Sequence, residues 1–370
     1  MSLSIIPERI AREPWRIIVT LLALVLLGAA VLYSAAGGHL RPWSATHVLR
    51  FFVFLAMAMV MARIPRHLFK LAAYPVYVGI VVLLVFVELL GAIGGGSQRW
   101  LNFGFMTLQP SELMKPGIVL ILARFFDDLP ASMTASWRGL VPAMGLIGLP
   151  VALVLLQPDL GTSLAIVFSG VVVMFLAGLP LKWFLGAGAA GAIGAPLAFF
   201  TLLHDYQRRR VTTFLDPEND PLGAGYHITQ SKIAIGSGGV FGKGFGQGSQ
   251  SHLEYLPEAH TDFVFATMAE EWGMLGGIFV LAVFAILLRW GMTVARSGPD
   301  RFSRLLASGM TVTIFFYVAI NLMMVMGLAP VVGIPLPFMS HGGSSMMTIM
   351  ICVGSIMAVD RWARRPSGIS

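Results

Sequence analysis

Charge is scarce in this chain. Asp, Glu, Lys and Arg together make up 12% of its 370 residues, about half of the roughly 25% typical of soluble proteins, and so few charges cannot cover a water-facing surface. The two or three soluble domains that the length alone would permit are thereby excluded. Cysteine is nearly absent as well. The single one, Cys352, rules out an intramolecular disulfide and any thiolate cluster for zinc or iron–sulfur. No small-residue cleavage site follows the first apolar run, so a removable secretion signal is not expected. The net charge of +7 is not taken as affinity for nucleic acid, because basic residues in a membrane chain mark orientation first.

Apolar residues are abundant, at 56%. Ten spanning helices of about 20 residues each would account for about 54% of the length. The expected fold is therefore all-α, a polytopic integral membrane protein with about ten transmembrane helices in a single membrane domain over residues 1–370. The apolar runs place these helices at residues 17–34, 48–62, 71–90, 111–126, 140–156, 163–179, 183–203, 263–288, 305–328 and 337–359. An even count puts both termini on one side. Sixteen of the 25 Lys and Arg residues fall on that side, which makes it cytoplasmic. Residues 204–261 then form one large extracytoplasmic loop. Its glycines from Gly236 to Gly248 suit a tether, but Ile228, Ile233, Val240, Phe241 and Phe245 are too apolar for a solvated one. Short helices on the outer membrane face are expected there.

An ionisable side chain inside a span is expensive unless paired or wet, so each is a functional candidate. Glu88, Glu112, Lys115, Asp159, Glu270 and Glu271 lie in or at the ends of spans. Glu112 and Lys115, three apart, share one helix face with Ser111. They make either an internal salt bridge or part of a catalytic site, and with Arg99, Trp100 and Gln109 they form a cluster suited to an anionic headgroup. Leu256-Pro257-Glu258-Ala259-His260-Thr261-Asp262-Phe263 brings two carboxylates and a histidine to a loop–helix junction. Asp262 there is either an N-cap or a general base whose pKa burial can tune. No second histidine lies at metal-ligand spacing from His260. The run from Gly333 to Ser345 reads as a broken entry to the last helix. Its glycines permit close backbone approach and its free amides can hold phosphate, while Ser344 and Ser345 also suit tight helix packing. Arg208, Arg209 and Arg210 could grip a diphosphate or membrane lipid headgroups.

Three of these segments carry a family likeness. Gln109-Pro110-Ser111-Glu112-Leu113 with Lys115, the segment 256–263, and Pro337-Phe338-Met339-Ser340-His341-Gly342-Gly343-Ser344-Ser345 resemble the signature segments of the SEDS family (shape, elongation, division and sporulation). The run 333–339 resembles the RodA branch more than the division branch FtsW. His341 departs from the tyrosine usual in the family. The resemblance implies a peptidoglycan glycosyltransferase that polymerises lipid II, an undecaprenyl-diphosphate disaccharide-pentapeptide, on the outer face of the cytoplasmic membrane during elongation and shape maintenance. It implies Asp262 as the base, with Lys115 and Glu112 orienting it or holding phosphate. Arg99, Gln109, Ser111, Arg208, Arg209, Arg210, Glu258, His260, Ser340, Gly342 and Gly343 are the substrate-binding candidates. A divalent cation, magnesium or manganese, is compatible with a departing diphosphate, though no ligands for it are assigned. The implied partners are a class B penicillin-binding protein and other elongation-complex proteins. Two other classes fit the sequence: a lipid II flippase, which would need polar groups at mid-membrane, and a non-catalytic scaffold, in which Asp262 would be dispensable.

Overall fold

The computed structural model describes residues 14–90, 92–94, 97–102, 107–201, 208, 212–216, 224–252, 255–256 and 258–364. Among the described residues the following helices and short strands run in chain order: α1 (Trp15–Ala35), α2 (Ser44–Met61), α3 (Arg66–Leu90), β1 (Ala92–Gly94), β2 (Ser97–Asn102), β3 (Thr107–Leu108), α4 (Pro110–Asp128), α5 (Ala131–Thr134), α6 (Trp137–Leu156), α7 (Leu160–Leu176), α8 (Leu181–Thr201), α9 (Ala224–Gly238), α10 (Ser249–His252), α11 (Val264–Ser297), α12 (Arg301–Val325) and α13 (Gly343–Ala363). The ten helices of 17 residues or more outside the 204–261 segment correspond one to one with the ten expected spans. Among the described residues, seven of them, α1, α2, α3, α6, α11, α12 and α13, are long and apolar enough to cross a membrane. Of the other three, α7 is only 17 residues long and α4 carries five charges. The protein is an all-α, multi-pass membrane protein.

The three strands were not expected. β1 pairs antiparallel with β2, and β2 with β3, in a small sheet joining α3 to α4. The runs are two to six residues long and rich in glycine nearby, which leaves no alternation long enough to signal strand.

Without a hydrophobic drive inside lipid, the bundle closes through small residues and polar pairs. A Cβ on Gly354 of α13 would meet the Cα of Ala58 of α2 at 3.0 Å, so the two backbones lie against each other. Ser169 of α7 and Thr313 of α12 share a hydrogen bond of 3.1 Å. Caps fix where helices begin: Asp159 accepts from the Thr162 amide at α7, and Asp300 from the Ser303 amide at α12.

Part of the 204–261 segment is helical, as expected, but α9 is fastened to the bundle. Its Ser231 hydroxyl donates to the Val325 carbonyl of α12 at 2.7 Å. The glycine-rich turn after α9 inserts into a break in α11 at Gly273, where φ is 63° and ψ −159°. The Lys243 and Gly244 amides donate to the carbonyls of Glu270 and Glu271, and the Met274 amide donates to Gly239. Backbone groups freed by the break are thus satisfied by protein, as a membrane requires. Gly242 is obligatory there, since a Cβ would collide with the Glu271 carbonyl oxygen.

Candidate active site

Four helices begin at one end of the bundle, and the residues at their starts meet. Gln109 before α4, Asp159 before α7, Asp262 before α11 and Gly342 before α13 all line one cavity of about 470 Å³. Arg99, Trp100, Glu112, Glu258, Thr261, Gly333, His341, Gly343 and Ser344 complete most of its wall. Three segments distant from one another in the chain therefore form a single polar chamber. Helix N-termini carry partial positive charge and free amides. The starts of α4, α11 and α13 have no side-chain cap, whereas Asp159 neutralises that of α7. These free amides offer donors to an anion, beside a lining that holds four carboxylates, Glu112, Asp159, Glu258 and Asp262, and one guanidinium, Arg99.

Asp262 stands two residues ahead of the first helical residue of α11. The N-cap is Phe263, without a side-chain bond, so the capping reading of Asp262 does not hold. Its carboxylate reaches the cavity near Gly333, where an added Cβ would lie 3.4 Å from Oδ2. Asn321 of α12, fully buried, holds the backbone on both sides. Its amide nitrogen donates to the carbonyls of Asp262 at 2.9 Å and Ile334 at 2.8 Å. Glu258 and Phe338 sit at φ values of 55° and 63°, a left-handed backbone rare for such residues and a strain typical of functional sites.

Glu112 lines the cavity; Lys115 lies beneath it with no exposed surface. The ammonium donates to Glu112 Oε1 at 2.6 Å and to the Tyr317 hydroxyl at 2.7 Å, and the hydroxyl in turn donates to Glu112 Oε2. The three form a closed, buried ring. Two of the three ammonium donors are engaged and Lys115 lies outside the cavity lining with no exposed surface, so a direct grip on phosphate does not fit its placement; it sets the position of Glu112.

The other candidates divide. Arg99 is in the cavity wall, but its guanidinium donates to the carbonyls of Gln157, at 2.9 Å, and Pro158 and lies 3.8 Å from Asp159. Gln109 donates to Asp159 Oδ2 at 3.1 Å. Gly342 and Gly343 line the chamber, whereas Ser340 is buried, accepting from the Leu336 amide at 2.8 Å. Ser111 is buried at 1% exposure and outside the lining. Arg208 ties down the end of α8 by donating to the Phe199 and Phe200 carbonyls at 2.9 and 2.8 Å, which removes it from the chamber. Arg209 and Arg210 lie outside the described residues. Glu258 accepts from the Thr261 hydroxyl at 2.7 Å.

His260 is placed by stacking on Trp43, with ring centroids 4.1 Å apart, and its carbonyl accepts from the His341 amide at 2.9 Å. The loops before α11 and α13 are thereby joined. Burial lowers the His260 pKa against the pull of Glu258. Burial, with the Arg50 guanidinium and His260 nearby, pushes His341 down to about 4, so both rings are neutral at neutral pH. Arg50 lies 3.2 Å from His341 Nε2 and beside Gly343; it brings a cation to the rim that the sequence did not single out. Among the described residues, no group of three His, Cys, Asp or Glu is arranged to hold a metal ion. A magnesium or manganese ion would therefore fit only if held largely by a substrate's own phosphates, with one or two carboxylates assisting.

Comparison with known proteins gives a consistent picture. The family model of FtsW, RodA and SpoVE, described as cell cycle protein, matches residues 14–365. The chain is 43% identical over 356 residues to the peptidoglycan glycosyltransferase MrdB of Escherichia coli K12, covering 95% of this chain and 94% of that one. It is 39% identical over 283 residues to the stage V sporulation protein E of Bacillus subtilis, 76% of each. A chain of a peptidoglycan synthase complex solved for its coordination of polymerisation and crosslinking superposes with a TM-score of 0.80 at 31% identity, covering 96% of this chain and 99% of that one. The rod shape determining protein RodA of Thermus thermophilus gives 0.71 at 28% identity with the same coverage. The signature segments, the ten-helix plan and these matches lead to one conclusion: the chain belongs to the FtsW/RodA/SpoVE family of cell cycle proteins.

Proposed function

We propose that this protein is an inverting peptidoglycan glycosyltransferase of the RodA branch, polymerising lipid II into β-1,4 glycan at the outer face of the cytoplasmic membrane. The observation that carries the reading is the chamber itself, where the Asp262 carboxylate and the uncapped starts of α11 and α13 share a cavity of about 470 Å³. The donor sugar is α-linked to diphosphate and the product β-linked, so the anomeric carbon is inverted. A single displacement needs a base on the attacking hydroxyl and stabilisation of the leaving group on the opposite side. Asp262 takes the proton from the acceptor's 4-hydroxyl as that oxygen attacks the anomeric carbon. The diphosphate leaves towards the amides at the starts of α11 and α13, with Arg50 at the rim. Arg99, already bonded to carbonyls and close to Asp159, shapes the wall more than it neutralises phosphate. Glu112, held by Lys115 and Tyr317, fixes the floor.

Both termini are on the cytoplasmic side in this reading, and the 204–261 segment faces outward. A class B penicillin-binding protein would crosslink the strands that this chain makes. The test is polymerisation of purified lipid II by the purified protein with that partner, comparing wild type with Asp262→Asn. Asn keeps the size of the side chain and removes the proton acceptor, so lipid II binding should persist while glycan synthesis falls by about 10²–10⁴-fold, the usual contribution of positioned acid–base catalysis. Synthesis within a few-fold of wild type would return the protein to the flippase or scaffold class.

A further inference from the structure

At the end of the bundle opposite the polar chamber, a second cavity, of about 590 Å³, lies between the start of α1, the last turns of α11 and the end of α13. Its wall gathers three arginines from three helices or helix ends, Arg16, Arg289 and Arg364, with the indoles of Trp15 and Trp290. Ile286, which also lines it, is 54% exposed and belongs to α11, a helix long and apolar enough to cross a membrane, so one wall of the cavity is an apolar outer face. The arginines differ in how far they are already engaged. Arg364 donates to both oxygens of Asp360, at 3.1 and 2.6 Å. Arg16 and Arg289 have no carboxylate within ion-pair distance among the described residues. The start of α1 adds the positive end of a helix with no acidic residue in its first turn. Basic residues spread along a membrane edge only set orientation. Here they surround one hollow, with aromatic side chains at the interface level and an apolar wall below.

We infer that this cavity is a binding site for an anionic phospholipid, whose phosphodiester sits between Arg16 and Arg289 while an acyl chain lies along Ile286. A cationic roof over an apolar, lipid-facing wall matches the two ends of such a molecule, and basic pockets between spanning helices hold anionic headgroups in this way. Trp15 and Trp290 suit the glycerol level, where indoles favour the boundary between hydrocarbon and headgroup. Because α1, α11 and α13 meet here, a bound lipid would brace the foot of α11, whose opposite end carries Asp262. The site belongs to the leaflet away from the chamber and is separate from substrate binding.

Native mass spectrometry of the purified protein, equilibrated with equal amounts of phosphatidylglycerol and phosphatidylcholine, tests this. Wild type should retain phosphatidylglycerol preferentially. Arg16→Gln with Arg289→Gln should lower that preference about 30-fold, the combined worth of two basic residues at an anionic leaflet. The charge-keeping pair Arg16→Lys and Arg289→Lys should retain most of it. Arg296→Gln, an exposed arginine at the same end but outside the cavity, should leave it unchanged. Equal retention of the two lipids by wild type would overturn the proposal whether or not the variants fold. So would an Arg296→Gln loss as large as that of the double substitution, which would mean general surface charge. Displacement of the lipid by millimolar inorganic phosphate alone would mean an anion site with no lipid specificity, and would overturn it too.

Discussion

Removing the Lys115 ammonium should destabilise the protein more than any other single change near the chamber, and the reason is measurable as a coupling. Lys115 has no exposed side-chain surface and Glu112 only 8%, so the ammonium has no route to water and the carboxylate reaches it only at the chamber floor. Lys115→Met leaves the Glu112 carboxylate with the Tyr317 hydroxyl alone, and breaking a buried ion pair from one side costs about 3–5 kcal/mol. Tyr317→Phe removes hydrogen bonds to two charged groups but keeps the ring under the ammonium, whose nitrogen lies 4.3 Å from its centroid. The expected loss is smaller, about 1.5–3 kcal/mol. Glu112→Gln combined with Lys115→Met removes both charges together and should cost well below the sum of the single changes. Unfolding in mixed micelles titrated with sodium dodecyl sulfate, run as a double-mutant cycle, gives these energies directly. The same variants assayed with lipid II should each lose synthesis, the double being no worse than either single. If the two losses add to within about 0.5 kcal/mol, the residues are independent and the buried ring is not a unit.

Gly273→Ala should lower the melting temperature sharply. Its backbone occupies a region essentially confined to glycine, worth about 1–3 kcal/mol in strain for other residues, and the added Cβ would collide with the Gly242 amide; an unchanged melting temperature would mean the turn is not locked into the break. Asp300 links stability to pH. Burial pushes its carboxyl up, but hydrogen bonds from Ser303 and the Lys70 ammonium outweigh this and hold it below the usual carboxylate range. A depressed folded-state pKa contributes stability above the unfolded value and loses it as pH falls through the folded one. Asp300→Asn should therefore be less stable at neutral pH yet lose less on acidification below about pH 4, as seen in melting curves across pH. Orientation is checked by a cysteine at Phe241, 79% exposed in the turn that follows α9. An impermeant thiol reagent should label it in intact spheroplasts against little background, since Cys352 is fully buried; protection there, with labelling only after lysis, would invert the proposed topology.

The spans were legible because a membrane demands long uninterrupted apolar runs, and ten such runs became ten helices. Their ends were less so. The last span, read from residue 337, begins at Gly343, because the Pro-rich approach is apolar without being helical. The site was legible as segments: Glu112, Asp262 and Gly342 were each singled out, and each lines the chamber. Tyr317 and Asn321 were not, since a tyrosine or an asparagine within a span resembles any other buried polar residue until the fold brings α12 against α4 and α11. Asp159 was noted as a charge near a span end, but its partnership with Arg99 and Gln109 spans 60 and 50 residues of chain and exists only in the folded bundle. The cap reading of Asp262 failed for a local reason: its backbone turns two residues before the helix starts, which directs the side chain to the cavity.

The location of polarity within the bundle separates the enzyme reading from the flippase reading. Carrying a diphosphate and a disaccharide across the membrane requires polar groups along the whole path, each costly to bury. In α4, the helix that leads inward from the chamber, Lys115 is followed by eight uncharged residues before Arg124, and its charge is already closed in the ring with Glu112 and Tyr317. Immediately below, Leu113, Pro116, Gly117 and Leu120 of the same helix line a different hollow of about 500 Å³, walled by Phe69, Ile80 and other apolar side chains. Such a hollow favours hydrocarbon over a sugar or phosphate. Polar and apolar spaces therefore adjoin at one level of α4 without merging: the chamber suits a headgroup resting at the membrane surface, and the hollow suits a lipid chain lying in the bilayer. A substrate whose sugar reacts at the rim while its chain stays in the membrane matches both; one that must pass its headgroup inward meets apolar walls after the first turns of the helix.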